Sequence, residues 1–249
     1  MVFQVKVKNK KLNYELKENK LNKFRSIFTK VKYVAKNVIY VKGWSNKLIK
    51  NKTISFFNNK TQKNIEFSFS NYLVKTVREP DPIVFKSKEL RYKSFFNEDK
   101  NKSLDSDKFD NYCDHLVVID RSVSENYVVG TYRLLFKPRN KKRIKFYSES
   151  EFNLEKLFKK KRLSLLEAGR SCVHKDYRDG RIIKLLWRGL ASYILMNKVD
   201  LIFGCASFPS SNSQLFSKQL SYLNSKHKPP KKFSCHPVEK LRANFKKYY

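Results

Sequence analysis

Glycine is scarce in this chain: six residues in 249, five of them between positions 130 and 204. In so glycine-poor a sequence, that clustering marks where the backbone must do something demanding. Four cysteines (Cys113, Cys172, Cys205 and Cys235) are too few and too scattered for a disulfide framework. None forms a Cys-x-x-Cys pair, and Cys172 with His174 does not make a zinc half-site, so a reduced cytoplasmic protein without a metal is the expectation. No run of 18 apolar residues is present, which excludes a spanning helix. The opening MVFQVKVKNKKLNY breaks every apolar run with charge and does not read as a signal peptide. Acidic residues are also short, 22 against 55 Lys and Arg, for a formal charge of +33. Such a field reaches acidic partners over about 8–10 Å: nucleic acid, an anionic membrane or an acidic protein. Lys and Asn are abundant throughout, as a codon bias would also produce, so charge alone does not choose among these. A hydrophobic content of 41%, with 14% aromatics, excludes a disordered polyelectrolyte.

Residues 1–70 stand apart, with seventeen Lys and Arg against three acids, no proline and one glycine, Gly43. Between Leu21 and Val41, apolar residues recur at three- and four-residue spacing with lysines between them. This predicts a basic amphipathic helix, packed on the domain or laid on an anionic surface. From Asn71 the pattern is α/β. Strands are predicted over 71–77, 115–120, 127–136, 163–174 and 200–208, and helices over 83–96, 181–197 and 211–223. The strands at 115–120 and 127–136 read as a hairpin. After Pro229-Pro230 the tail is basic and patternless, and no internal repeat is visible.

The most informative stretch is LLEAGRSCVHKDYRDGRIIKLLWRGLASYILMNKVDLIFGCASF. A strand ends near His174 and leads through Arg178, Gly180 and Arg181 into a long amphipathic helix. Free backbone N–H groups and guanidinium charge at a helix N-terminus suit a phosphate, although ordinary capping uses the same residues. Glu167 and Arg170 lie on the strand before the turn. A spacing of three puts them on opposite faces of a regular strand, whereas a bulge near Gly169 would reset the alternation and free an amide. Arg133 shares a strand face with Val129, Thr131 and Leu135, an apolar setting in which a charge needs an anionic partner. Asp110 and Asp114 precede the neighbouring strand. These residues fit recognition of an amino acid, arginine on its carboxylate and aspartate on its ammonium; an internal Arg–Asp network fits them equally. Glu167 paired structurally with Arg170 is the competing reading of that couple. His174 reads as structural.

The order strand, Arg-x-Gly-x turn, helix, strand resembles the thioester-binding core of the GNAT acyltransferases. The words EAGRSCVHKDYRDGRIIKLLWRGLA and GCASF, with ELRYKSFF, DKFDNYCDHLVVID, GTYRLL and FYSESEFNL before them, more specifically resemble the ornithine-lipid N-acyltransferases. The resemblance covers roughly 71–225 and extends more distantly to the acyl-homoserine lactone synthases. It implies an α/β GNAT fold, a mixed but mostly antiparallel sheet flanked by helices, spanning 71–249 behind a basic extension over 1–70. It further implies transfer of a fatty, 3-hydroxylated or plain, acyl group from acyl carrier protein to the α-amine of ornithine or a similar amino acid. No permanently bound cofactor is expected, since the donor's acyl-phosphopantetheine is a substrate. Glu167 is implied as the general base or its orienting group, beside Arg170. Arg91, which looks like an exposed helix residue, is matched through the resemblance alone and joins Arg133, Asp110 and Asp114 in acceptor binding. Relatives continue past the end of this sequence, so the resemblance also implies a domain short at its C-terminus.

The reading is therefore an enzyme on the inner face of a membrane, partnered by acyl carrier protein, an amino acid and an anionic surface. N-acylation of another amine and acyl-homoserine lactone synthesis are the alternatives within enzymes. The latter calls for an aromatic-rich nucleoside pocket, which the sequence does not display. A basic nucleic-acid-binding module is the alternative outside enzymes, and no nucleic-acid signature supports it.

Overall fold

The computed structural model describes residues 34–35, 38–39, 64–96, 103–159, 163–208, 210, 212–227 and 229–242. In chain order these form β1 (Val34–Ala35), β2 (Val38–Ile39), β3 (Glu66–Phe69), β4 (Tyr72–Val77), α1 (Pro82–Phe95), β5 (Asp114–Asp120) and β6 (Val128–Lys137). There follow β7 (Phe152–Asn153), α2 (Glu155–Phe158), β8 (Leu165–Val173), α3 (Arg181–Met196), β9 (Leu201–Phe203), α4 (Ser217–Lys226) and β10 (His236–Pro237). The chain divides into two compact units. The larger comprises residues 52–147 and 162–199, the smaller 1–51, 148–161 and 200–249.

The larger unit is an antiparallel meander extended by one strand, in the order β3-β4-β5-β6-β8, with a helix on each face. The alternation read from the sequence sorts its side chains. Leu116 and Val118 with Val74 turn towards α3, whereas Val117 and Ile119 pack with Val77, Cys172 and Ile83, Val84, Leu90 and Phe95 of α1. Helix α1 starts where Asp81 accepts the Ile83 N–H at 2.8 Å and Pro82 takes the first helical position, where a missing N–H costs nothing. Helix α3 buries Ile182, Leu185, Leu186, Gly189, Leu190 and Tyr193, the three-to-four spacing of one face. Two glycines let it lie against the sheet. A Cβ on Gly130 of β6 would stand 2.6 Å from Ile182 Cγ2, and one on Gly189 2.7 Å from Leu116 Cδ1.

Several expectations change. The boundary drawn at residue 70 cuts a hairpin, because β3 pairs with β4 through Glu66↔Lys75 to Phe69↔Tyr72. Within the helix expected over 21–41, Val34–Ala35 and Val38–Ile39 are strands that pair with each other, consistent with the preference of β-branched residues for a pleated surface. The rest of that stretch lies outside the described residues. In the smaller unit, the strand expected over 200–208 is confined to Leu201–Phe203, which pairs with β2. The helix expected from 211 opens as a 3-10 turn, Ser213–Phe216, before α4. Among the described residues, no helix is long and apolar enough to cross a membrane.

Overpacking a tight site typically costs about 1–3 kcal/mol. Gly130→Ala is therefore expected to lower the free energy of unfolding by that amount in urea titration. Gly169→Ala, whose added methyl would meet nothing within 4 Å, is expected to change it by less than about 0.5 kcal/mol.

Candidate active site

Strand β8 does not pair regularly with β6. Thr131 lies opposite Cys172 and Arg133 opposite Gly169, so Arg170 and Ser171 together face the single residue Tyr132. This is a β-bulge one residue beyond Gly169, and Arg170 occupies it at φ 50°, in the left-handed region. Such a conformation costs a non-glycine residue about 1–2 kcal/mol and needs fixing by its surroundings. The bulge resets the alternation, and both Glu167 and Arg170 reach Tyr147. Glu167 Oε2 accepts the Tyr147 N–H at 2.9 Å, and the Arg170 guanidinium carbon sits 4.9 Å from the Tyr147 ring centre.

Arg170 does not direct its charge to Glu167. Its ion-pair partners are Asp105, at 2.9 Å from Nε, and Asp107, at 3.6 Å from Nη2. These aspartates belong to a larger buried group on the α1 side of the sheet. Arg91 donates from Nε to Asp105 Oδ2 at 2.8 Å and from Nη1 to Asp110 Oδ1 at 2.7 Å. It also reaches the Asp105 carbonyl at 2.5 Å. Arg133 Nη1 donates to Asp107 Oδ1 at 2.7 Å and Asp110 Oδ1 at 3.2 Å. The backbone closes the cage, the Asp107 N–H on Asp110 Oδ2 and the Phe109 N–H on Asp107 Oδ1, both at 2.8 Å. Three guanidinium ions thus face three carboxylates. Burial pushes the Asp110 carboxyl up, but the hydrogen bond and charge of Arg91, with the charge of Arg133, hold it well below the usual carboxylate range. His115 lies against the same cage, Nε2 3.4 Å from the Asp110 carbonyl, and burial with the Arg91 charge lowers its pKa to about 4.

This geometry corrects several sequence assignments. Arg91 is fully buried rather than exposed, because its guanidinium is drawn inward by Asp105 and Asp110. Asp110 is equally buried, and its carboxylate is spent on Arg91 and Arg133, so the internal network, not acceptor contact, describes it. Asp114 is not brought to Asp110. Strand alternation turns it to the other side, where Arg78 and the Tyr193 hydroxyl of α3 hold it. Arg133 does find an anionic partner, inside the protein. The sequence reading missed Asp105, Asp107 and Tyr147. They lie in segments with no periodicity: Asp107 and Tyr147 stand inside DKFDNYCDHLVVID and FYSESEFNL, which carry the resemblance without marking a role for either, and the need of Arg133 for a counter-ion pointed only to an acid nearby.

The turn before α3 is built as expected and also carries its own anion. Gly180 adopts φ 94° as the residue before the helix. Asp179, however, accepts the Arg181 N–H at 2.8 Å and its Nε at 2.6 Å, while Arg178 Nε donates to the Val173 carbonyl at 3.1 Å. Tyr177 ties the turn to the β5–β6 hairpin by donating to Asp120 Oδ2 at 3.0 Å. His174 has the structural role read for it, its Nδ1 accepting the Asp176 N–H at 3.4 Å. Among the described residues, no group of three or more His, Cys, Asp and Glu side chains is placed to hold a metal ion.

The buried imidazole makes the cage sensitive to acid. With a pKa of about 4 in the fold against 6.5 for a free histidine, the unfolded chain binds more protons between those values. Stability therefore rises with pH across that window and is lost on going down through it. Urea midpoints measured from pH 4 to 7 are expected to show this slope, and His115→Gln is expected to flatten it.

Residues 90–188 match the family model described as "Acetyltransferase (GNAT) domain". The chain is 37% identical over 150 residues to an L-ornithine N(alpha)-acyltransferase of Brucella abortus, covering 55% of this chain and 53% of that one. To that of Rhodobacter capsulatus it is 37% identical over 155 residues, covering 58% and 60%. To that of Rhizobium meliloti it is 38% identical over 149 residues, covering 54% and 50%. The chain thus spans between half and three-fifths of these relatives' length. Among solved structures, an integron cassette protein from the mobile metagenome of V. cholerae aligns at a TM-score of 0.39 and 11% identity, over 68% of this chain and 93% of that one. An aminoglycoside acetyltransferase from an uncultured soil metagenomic sample aligns at 0.37 and 18%, over 61% and 88%. At TM-scores under 0.5 these two assign nothing further. Over residues 90–188 the chain is thus similar to acetyltransferase (GNAT) domains, and the curated relatives that it resembles in sequence are L-ornithine N(alpha)-acyltransferases.

Proposed function

We propose that this chain is an N-acyltransferase that moves a fatty acyl group, 3-hydroxylated or plain, from acyl carrier protein to the α-amine of ornithine, the first step of ornithine-lipid synthesis. The observation that carries this reading is the bulge. It brings Glu167 and Arg170 to the same aromatic residue while the Arg170 charge is absorbed by Asp105 and Asp107. A carboxylate that is not the partner of the neighbouring guanidinium can take the proton of an attacking amine. The amine nitrogen bonds to the thioester carbonyl carbon, the carbonyl becomes an oxyanion, and the C–S bond then breaks. Glu167 accepts the proton from nitrogen and returns it to the departing thiolate. The extra residue of a bulge leaves the strand ladder, and its backbone supplies a donor for the oxyanion.

Substrate recognition follows from which charges remain reachable. Asp107 keeps a quarter of its side chain exposed, against 6% and 0% for Asp105 and Asp110, and Arg170 keeps 15%. This edge of the cage, rather than Asp110 or Asp114, meets the zwitterionic acceptor. The turn with Arg178, Gly180 and Arg181 receives the donor's pantetheine phosphate, which displaces Asp179 from the guanidinium and amide of Arg181. A carrier protein is acidic and this chain carries +33, so opposite fields favour their encounter. The product is an amphiphile, and the same charge holds the enzyme peripherally on the anionic inner face of the membrane.

Losing a general base costs about 10²–10⁴-fold, and Glu167→Gln is expected to lower kcat by that factor while leaving the circular dichroism spectrum unchanged. Steady-state rates with ornithine should also favour acyl carrier protein over acyl-coenzyme A as donor, with kcat/KM falling steeply as salt rises. Turnover of the folded Gln variant at the wild-type rate at every pH would remove the base role. An equal or better reaction with acyl-coenzyme A at low salt would remove the carrier protein as donor.

A further inference from the structure

Helix α4 of the smaller unit puts serine inward and larger side chains outward. Ser217 and Ser221 are buried and Leu220 is half-buried, whereas Tyr222 and Leu223 are exposed, Tyr222 by 50%. Lys218, Gln219 and Lys226 complete the outward face, at the three- and four-residue spacings that set side chains side by side on a helix. Leu215, in the 3-10 turn that leads into the helix, is 64% exposed. Phe208 is exposed too, and its ring stacks on Phe216 of that turn, with centres 4.4 Å apart and planes at 21°. A short helix of a globular domain ordinarily buries such residues and shows its serines to water. A run of outward apolar side chains, unlike a single one, marks a surface that meets something.

The charge around these residues has one sign. From Leu201 to Val238 the sequence holds five lysines, Lys218, Lys226, Lys228, Lys231 and Lys232, and no aspartate or glutamate. Lys218, Lys226 and Lys231 are exposed. Lysine is depleted in protein–protein interfaces. Lysine beside outward leucine and aromatic side chains suits the boundary between lipid headgroups and acyl chains. There the apolar groups leave water and the long lysine stems let the amines stay at the phosphates. We propose that this face of the smaller unit seats the protein on an anionic lipid bilayer. Phe208, Leu215, Tyr222 and Leu223 enter below the phosphates, and Lys218, Lys226 and Lys231 lie against them. The proposal rests on the peripheral membrane placement given above and assigns it a surface, and it is independent of the acyl transfer.

Co-sedimentation of the full chain with vesicles measures this without any turnover. Wild type is expected to bind vesicles of phosphatidylglycerol and phosphatidylcholine, and to bind phosphatidylcholine alone far more weakly. Joint Leu215→Ser and Leu223→Ser substitution is expected to lower the partition coefficient on the anionic vesicles about tenfold or more. A lysine at an anionic surface is worth about fivefold in binding, so Lys218→Glu with Lys226→Glu is expected to cost at least as much as the serine pair. Lys141→Glu with Lys142→Glu, an equal change of net charge at exposed positions of the larger unit, is expected to cost less than about twofold. All six positions are exposed, so circular dichroism should be unchanged in every variant. Tyr222→Trp reads the depth of insertion, because its added fluorescence is expected to be quenched by lipids brominated along the acyl chain. Serine variants that bind like wild type would overturn the assignment of this face while leaving the peripheral placement standing. So would a Lys141 and Lys142 control as impaired as the Lys218 and Lys226 pair, which would mean that the overall charge does the binding. Added fluorescence that brominated chains leave unquenched counts the same way. So does a serine pair that changes only self-association in sedimentation equilibrium, which would make the face a contact between copies. A wild-type chain that binds neither kind of vesicle overturns both the face and the peripheral placement.

Discussion

A buried cage of three arginines and three aspartates sets the terms for the rest of this domain. Arg91 comes from α1, Arg133 from β6 and Arg170 from the bulge of β8, and the loop carrying Asp105, Asp107 and Asp110 threads between them. Burying charge is expensive unless every ion is paired and its lone pairs are met. Here the pairing is nearly complete, and breaking it by removing one partner would leave an uncompensated buried charge, at a cost of about 3–5 kcal/mol. The cage therefore acts as a register lock. A one-residue slip of β8 against β6 would strand Arg170 or Arg133 away from its carboxylates, and helix α1 cannot rotate without withdrawing Arg91.

The chemistry proposed for the site grows out of that constraint. The cage absorbs the Arg170 charge, the left-handed residue within the strand is fixed by it, and the bulge sends Glu167 and Arg170 to a common neighbour. On the opposite face, α3 comes close to the sheet through Gly130 and Gly189 and carries the Arg181 turn at its start. The two faces contribute different things: the α1 side holds a self-neutralised cluster beside a carboxylate, and the α3 side begins with basic residues on a turn anchored to Asp120.

Much of this was legible in the residues. The alternation in HLVVID and YVVGTYRLLF fixed a hairpin that the structure forms with only small changes of boundary, and the spacing in RIIKLLWRGLASYILMN placed α3 within one residue. The inward Arg133 called for an anionic partner, and of the two arrangements open to the strand around Gly169, regular or bulged, the structure takes the bulge. What the sequence could not show was where charges go in three dimensions. Arg91 looks exposed on a helical repeat because its partners lie 14 and 19 residues away in a loop with no pattern. Asp110 and Asp114, four apart, looked like a pair, yet they are held on opposite sides of the sheet. Tyr147 stands inside FYSESEFNL, yet nothing in that stretch shows that its backbone N–H and ring face meet Glu167 and Arg170, a contact that only the fold makes.

The central claim is that the bulged strand makes Glu167 the working carboxylate of an N-acyltransferase acting on an amino acid. Expression of the chain in a bacterial host that makes no ornithine lipid, followed by mass spectrometry of the lipid extract, tests this most directly. The account predicts a new species with the mass of a fatty-acylated ornithine, linked through an amide and absent when Glu167→Gln is expressed at the same level. A folded, well-expressed wild-type chain that yields no N-acylated amino acid, or a variant that yields as much as wild type, would contradict it.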